Sequence, residues 1–322
     1  TDGTITGDTE NGSGVGISGN STLTNTTVNG NTSGNGYGVG ISGNSTLTGN
    51  SSVSGNATGG NGTGVDINGN LSGGTVTGNA TGNGTGVDIS GNITDGTITG
   101  DTENGSGVGI SGNSTLTNTT VNGNTSGNGY GVGISGNSTL TGNSSVSGNA
   151  TGGNGTGVDI NGNLSGGTVT GNATGNGTGV ELAGNVTKST VNGTSQSGTG
   201  LHVTGRPSTV TDSSLSASSV SGPNVVVSGE LILNNSTLSQ AGTVSSSDVR
   251  HYLQQQETAL QHESRTGSEV ADHSSYRIPV TERTLMLCSR EGECSQETFE
   301  AGDTRGIYPV NTRTGVVFSR EK

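Results

Sequence analysis

The sequence predicts an all-β protein: a parallel β-helix (β-solenoid) of about ten rungs, followed by a small α+β carboxy-terminal cap. Three observations carry this expectation. Residues 94 to 180 repeat residues 1 to 87 without a change. Inside that long repeat a shorter unit recurs, Gly-Val-Gly/Asp-Ile-Ser/Asn-Gly-Asn, whose apolar mark falls at Ile17, Ile41, Ile67, Ile89, Ile110, Ile134, Ile160, Leu182, Val203 and Val227. The chain is also too glycine-rich and too poor in apolar residues for one compact core. It has 64 Gly in 322 residues, 24% hydrophobic residues and 2% aromatics, whereas a globular domain carries about 7% Gly.

The marks are spaced 24, 26, 22 and 21 residues apart, then 24, 26, 22, 21 and 24. One turn is therefore 21 to 26 residues, the spacing of a stacked repeat. Within a turn, Val15-Gly16-Ile17 and Val65-Asp66-Ile67 alternate apolar with small or polar residues, as a strand with one buried face does. A second inward mark is the β-branched residue of Thr4-Ile5-Thr6, Thr27-Val28-Asn29, Ser52-Val53-Ser54 and Thr75-Val76-Thr77; a third is Leu23, Leu47, Leu71 and Ile93. Three inward marks per turn suit a triangular coil, with Gly and Asn at corners that require positive φ. Stacking turns about 4.8 Å apart gives a thin continuous core that no single turn could supply. Disordered linkers share this composition, but a linker has no reason to keep Val-x-Ile at ten fixed marks.

The domain organisation follows from the same repeats. Residues 1-242 form the solenoid, with 93-residue repeats at 1-93 and 94-186 and a degenerate third copy at 187-242. Charge changes near residue 242: before it the cations are Lys188 and Arg206 against twelve carboxylates, and the other cations lie after it. In residues 243-322, Ser246-Ser247-Asp248 offers an N-cap, and Val249, Tyr252, Leu253 and Leu260 continue at helical spacing. Such a helix would cover the open last rung. Tyr276–Val280, Thr284–Leu287 and Gly315–Phe318 read as strands.

Charge and composition exclude several functions. A net charge of -13 argues against nucleic acid and against an anionic membrane surface, both of which need clustered cations. No run approaches the ~20 apolar residues of a membrane span. The first residues do not form a signal peptide, so the chain reads as a piece of a longer protein. Catalysis has little to use: the array's carboxylates are scattered and its one His is His202, so no enzyme is expected and no cofactor or metal site is read. Asp66, Asp88 and Asp159 could stack into a short acidic ladder, although solvated strand residues are the simpler reading. Gly59–Asp66 differs in period from glycine-rich calcium nonapeptides. Threonine pairs such as Thr4/Thr6, Thr75/Thr77 and Thr97/Thr99 would also suit an ice-binding solenoid, a minor alternative because Thr27/Asn29 and Ser52/Ser54 roughen the face.

The commonest local motif is Asn-x-Ser/Thr. Asn20, Asn44, Asn70, Asn92, Asn113, Asn137, Asn163 and Asn185 follow the same corner Gly and are expected to form a buried asparagine ladder, giving way to Arg206 and Glu230 in the third copy. The remaining candidates for glycan attachment are Asn25, Asn31, Asn50, Asn56, Asn61, Asn79, Asn83, Asn118, Asn143, Asn154 and Asn176, with loop positions such as Asn61 and Asn83 the most available.

Iterated Gly-Val-x-Ile-Ser-Gly-Asn-Ser-Thr-Leu-Thr rungs, near-identical long repeats and abundant Asn-x-Ser/Thr resemble the repeat region of two-partner-secretion exoprotein adhesins of the filamentous haemagglutinin type, over residues 1 to about 240. The resemblance implies a secreted or bacterial-cell-surface adhesin, exported through an outer-membrane transporter and glycosylated on asparagine. It also implies attachment to host glycans or mucin and to flagellin. A purely structural spacer, with binding elsewhere in the parent chain, is the competing reading. In an exported protein, Cys288 and Cys294, which enclose five residues including a turn-forming Gly, are expected to form a disulfide. A metal site would need further ligands, and His251, His262 and His273 do not stand at ligand spacing from the pair.

Overall fold

The computed structural model describes residues 1–204, 207–228 and 230–242, and beyond them only the strands Ser275–Pro279, Thr284–Cys288, Cys294–Thr298, Ile307–Tyr308, Val310–Asn311 and Val316–Val317. The fold is all-β, a parallel β-solenoid of about ten turns, with no helix among the described residues. The helix expected from Ser246 onward lies outside the described residues.

One sheet contains a six-residue strand from nearly every turn, stacked in parallel from Thr4–Thr9, Thr27–Thr32 and Ser52–Ala57 onward to Thr237–Gly242. The register is one-to-one: Val28 lies on Val53, Val53 on Val76, Val76 on Ile98 and Ile98 on Val121. The second sheet carries both other inward marks, because strands such as Tyr37–Thr48 and Thr63–Ser72 run through a corner. Gly43, Gly69 and Gly91 bend them there at φ of 75, 147 and 156°, and the section becomes three-sided. A further corner precedes each strand of the first sheet, where Asn25 and Asn118 take φ of 47° and Asp95 takes 55°. A short polar side chain tolerates that left-handed conformation better than most.

The core is a row of stacked apolar columns rather than a ball. Val65, Ile67, Val76, Val87, Ile89, Ile93 and Ile98 are all fully buried. The first and second sheets touch at paired glycines. A Cβ on Gly78 would collide with the carbonyl oxygen of Gly86, and one on Gly100 with that of Gly107. This close approach explains the recurrent glycine in Thr-Val-Thr-Gly-Asn. Many buried hydroxyls bond to neighbouring turns: Thr119 N–H donates to Ser144 Oγ at 3.1 Å, and Ser144 Oγ donates to the Leu116 carbonyl at 2.9 Å, whereas the buried Ser45 and Ser138 hydroxyls have no partner among the described residues. Burial without such partners would cost about 1–3 kcal/mol each.

The parallel stacking ends with the strand Thr237–Gly242. Ser275–Pro279 then pairs antiparallel with Glu230–Asn234, and Ile307–Tyr308 with Thr237–Gly242, so later chain covers both terminal sheet edges. The expected strands around Tyr276, Thr284 and Val316 are present. The register of Thr284–Cys288 against Cys294–Thr298 places the Cα atoms of Cys288 and Cys294 opposite each other.

Candidate functional site

Three outward-facing features are built by the stacking. The first is the row of corner asparagines. Asn70 Nδ2 donates to Asn44 Oδ1 at 2.8 Å, Asn137 Nδ2 to Asn113 Oδ1 at 3.2 Å, and Asn163 Nδ2 to Asn137 Oδ1 at 2.7 Å. All eight residues of the row, from Asn20 to Asn185, are exposed, so the row lies on the surface and not in the core. It is also interrupted. Asn92 aligns with Thr115, whose N–H donates to Asn92 Oδ1 at 3.2 Å, and not with Asn113. The two extra residues between Ile110 and Leu116, against Ile89 to Ile93, are taken up before the row, so the pairing follows Leu116 on Ile93; the same difference between Ile41–Leu47 and Ile67–Leu71 is taken up after it, and Asn44 stays on Asn70. In the third copy a longer insertion carries the row from Asn185 to Thr209 and Ile232, correcting the expected Arg206 and Glu230.

The row lines two shallow grooves, one per repeat. A groove of about 310 Å³ runs along Asn44, Asn70 and Asn92, and one of about 360 Å³ along Asn137, Asn163 and Asn185. These asparagines are 93 residues apart in pairs. Amides offer both donors and acceptors without charge, so the grooves suit neutral hydroxyl-bearing ligands.

The second feature adjoins the first along the same strands. Tyr37 and Tyr130 are 40% and 38% exposed, among the few large apolar side chains that face solvent. Each ring lies beside a glycine: a Cβ on Gly40 would be 3.8 Å from Tyr37 Cδ2, and one on Gly133 would be 3.9 Å from Tyr130 Cδ2. On the next turns, in register with these glycines, stand carboxylates. Gly40 aligns with Asp66 and Asp66 with Asp88; Gly133 aligns with Asp159 and Asp159 with Glu181. Half-burial and the facing Asp88 carboxylate push Asp66 up to about 6, and burial raises Asp88. Burial and Glu181 push Asp159 up to about 6. The Asp159 carboxylate, then burial, then Glu181 raise the Tyr130 phenol. The pairs Asp66/Asp88 and Asp159/Glu181 are thus the short acidic stacks, and they are interrupted between repeats by Gly109 and Gly133. Among the described residues, no group of three or more His, Cys, Asp or Glu side chains is placed to hold a metal.

The second stack continues to His202, whose Nδ1 lies 3.4 Å from Glu181 Oε1 and whose Nε2 is 2.7 Å from Ser228 Oγ. Sequence reasoning singled out none of these contacts, because they join residues 21 and 26 positions apart. The order carboxylate, imidazole, hydroxyl is that of an activated nucleophile. The Ser228 N–H, however, donates to the Val203 carbonyl at 2.7 Å and is not free to stabilise an oxyanion.

The third feature is the outer surface of the first sheet, where side chains alternate with the core columns. One column reads Thr4, Thr27, Ser52, Thr75, Thr97, Thr120, Ser145, Thr168, Thr190, Ser214 and Thr237. The next, two residues along each strand, contains Thr, Ser and Asn without a charge. A third is an amide ladder that the sequence did not reveal. Asn31 Nδ2 donates to Asp8 at 2.7 Å, and Asn56 to Asn31 and Asn79 to Asn56 at 3.0 Å each; Asn124 and Asn149 repeat the arrangement on Asp101.

This ladder takes in Asn31, Asn56 and Asn79, three of the candidate glycan positions. Asn25 and Asn118 occupy the left-handed corners and accept from the backbone N–H of Asn50 and Asn143 at 3.2 Å. Asn50, Asn61, Asn83, Asn143, Asn154 and Asn176 are exposed, and their side chains bond to no other described residue.

Comparison with known protein families, characterised proteins and solved structures finds no match to this chain.

Proposed function

We propose that the chain is part of a non-enzymatic, surface-exported adhesin, and that its solenoid binds hydroxyl-rich glycans along the second sheet. The observation that carries this reading is duplication: an exposed tyrosine beside a glycine, a half-buried carboxylate and an amide-lined groove occur together twice. A tyrosine ring offers a face for the C–H side of a sugar. The neighbouring carboxylates and amides offer acceptors and donors for its hydroxyls. The two platforms are four turns apart, roughly 19 Å at the spacing of stacked strands. A linear glycan that reaches both gains from effective concentration.

Support also comes from the resemblance of the repeats to two-partner-secretion exoproteins, with host glycans or mucin and flagellin as the partners that resemblance brings. Export through an outer-membrane transporter, and attachment of sugars to the exposed corner asparagines, belong to the same proposal.

The test is binding of the 322-residue chain to glycan arrays, mucin and flagellin. Binding to a glycan or mucin that falls about tenfold or more with Tyr37→Ala, and is abolished with Tyr37→Ala/Tyr130→Ala, is the expected result. No binding to any of the three, by a chain with an intact β-sheet circular dichroism spectrum, overturns it and favours a spacer. Glycopeptide mapping from the secreting host tests modification separately: hexose on Asn61 or Asn83 and none on Asn56 or Asn79 is expected.

A further inference from the structure

We infer that the first sheet is a binding face for ordered water, an ice-binding surface on the sheet other than the one that carries the tyrosines. Its outermost column is Thr or Ser in every one of the eleven turns from Thr4 to Thr237. No hydroxyl from Thr4 to Ser216 in this column or the next bonds to another described residue. Among the described residues, these groups are left to bond water.

Their spacing is fixed by the backbone. Turns repeat at about 4.8 Å, and two residues along a strand advance about 6.6 Å. The result is a two-dimensional grid of hydroxyls, interrupted in the second column at Asn29, Asn122 and Asn192, whose turn-to-turn interval is close to an oxygen repeat of hexagonal ice. Threonine adds a methyl to each hydroxyl, so the grid holds water in place while hydrating weakly between rows. The register of the sheet is unbroken across its parallel turns. Side-chain ladders are one of the devices that keep a sheet flat, and the Asp8–Asn31–Asn56–Asn79 ladder runs beside the grid.

The chemistry of the face selects against other ligands. Neither column carries a charge, which leaves nothing to hold an ion or a phosphate. Neither has an aromatic ring, which crystalline polysaccharide requires for stacking. The best patch is Thr75, Thr77, Thr97 and Thr99 on adjacent turns. Asn122 ends it on the next turn, where a longer amide stands in register with Thr99.

Ice recrystallisation inhibition and thermal hysteresis of the 322-residue chain test the inference, with serum albumin as the inactive control. The expected result is inhibition at micromolar concentration, reduced at least fivefold by Thr77→Tyr/Thr99→Tyr and increased by Asn122→Thr. Thr22→Tyr, an exposed site on the other sheet, leaves it unchanged. Activity no greater than that of albumin, or activity indifferent to Thr77→Tyr/Thr99→Tyr in a folded chain, overturns the inference. Glycan binding is measured on the Thr77→Tyr/Thr99→Tyr and Asn122→Thr variants of the first sheet and is expected to be unaffected, so the two assignments fail independently.

Discussion

The turn that begins at Thr4 and the turn that begins at Thr97 have the same sequence and different surroundings. Ile5 is 41% exposed, whereas its counterpart Ile98 is fully buried. Leu23 is partly buried against the core and Leu116 is fully buried. The difference is the strand on one side: Thr97–Thr102 lies between Thr75–Ala80 and Thr120–Thr125, while among the described residues Thr4–Thr9 pairs with Thr27–Thr32 alone. Identical residues therefore contribute unequally, and what a side chain is worth is set by its neighbouring turns.

Substitution at the matched isoleucines breaks this comparison most directly. Ile98→Ala removes a side chain packed from both sides and is expected to cost about 2–5 kcal/mol. Ile5→Ala, in the same local sequence, should cost less than about 1 kcal/mol, because the side chain is already wet. Chemical denaturation of the two variants checks this, and equal losses would contradict the nearest-neighbour account.

A smaller effect is expected at the matched corner threonines. Thr119 Oγ1 accepts from Gly96 N–H at 3.4 Å and donates at 2.9 Å to Thr117 O, with Ile93 O at 3.3 Å also in reach, whereas Thr26 Oγ1 has only its local bond to Thr24 O at 2.9 Å. Thr119→Ala should cost about 1 kcal/mol and Thr26→Ala about half as much.

The acidic stacks sharpen the comparison between repeats through pH. Asp66 and Asp159 sit near 6 in the fold, above the ordinary 3.8. The folded chain therefore holds protons that the unfolded chain releases. Their contribution to stability is greatest below about pH 4 and is lost as pH rises through about 6. Thermal unfolding should show a higher midpoint at pH 4 than at pH 7 from these groups. Asp66→Asn/Asp159→Asn should raise the pH 7 midpoint by about 2–4 °C for each kcal/mol recovered and flatten the slope. The partners differ: Asp88→Asn is expected to lower Asp66 and leave Asp159 unchanged, and Glu181→Gln the reverse, followed by carboxyl chemical shifts. The groups facing these carboxylates are Asp88 in one repeat, and Glu181 and Tyr130 in the other.

The smallest effect belongs to the surface amide ladder. Asn124→Ala should cost about 0.5 kcal/mol, with no loss of sheet content, because Asn124 is only half-buried and bonds to side chains on both sides.

Much of this architecture was legible in the sequence because a strand alternates strictly. Val-x-Ile at 21 to 26 residue spacing marks one strand per turn, and the second and third marks give the other sides. The glycines of the Gly78–Gly86 contact were visible as repeats, but their reason was not, since it depends on two strands meeting. The corner row from Asn44 to Asn163 was legible as a row. Its surface position and its break at Asn92 were not, because the first depends on which way the corner side chains face and the second on whether the two extra residues of a longer side are taken up before or after the row. Asp66 was read as a scattered acid and Tyr37 was not singled out; only stacking brings them together across 29 residues.

The sequence by itself determined the coil, its period, its inward columns and the hydroxylated character of its outer surface, since these depend on alternation along each strand. The tertiary structure alone decided which turn lies on which, and hence the Tyr37–Asp66 platform, the Asp8–Asn31–Asn56–Asn79 ladder, the Glu181–His202–Ser228 contacts and the unequal burial of Ile5 and Ile98. The physical reason is that these depend on register between turns, which is set by the lengths of corners and sides and by hydrogen bonds to residues more than twenty positions away.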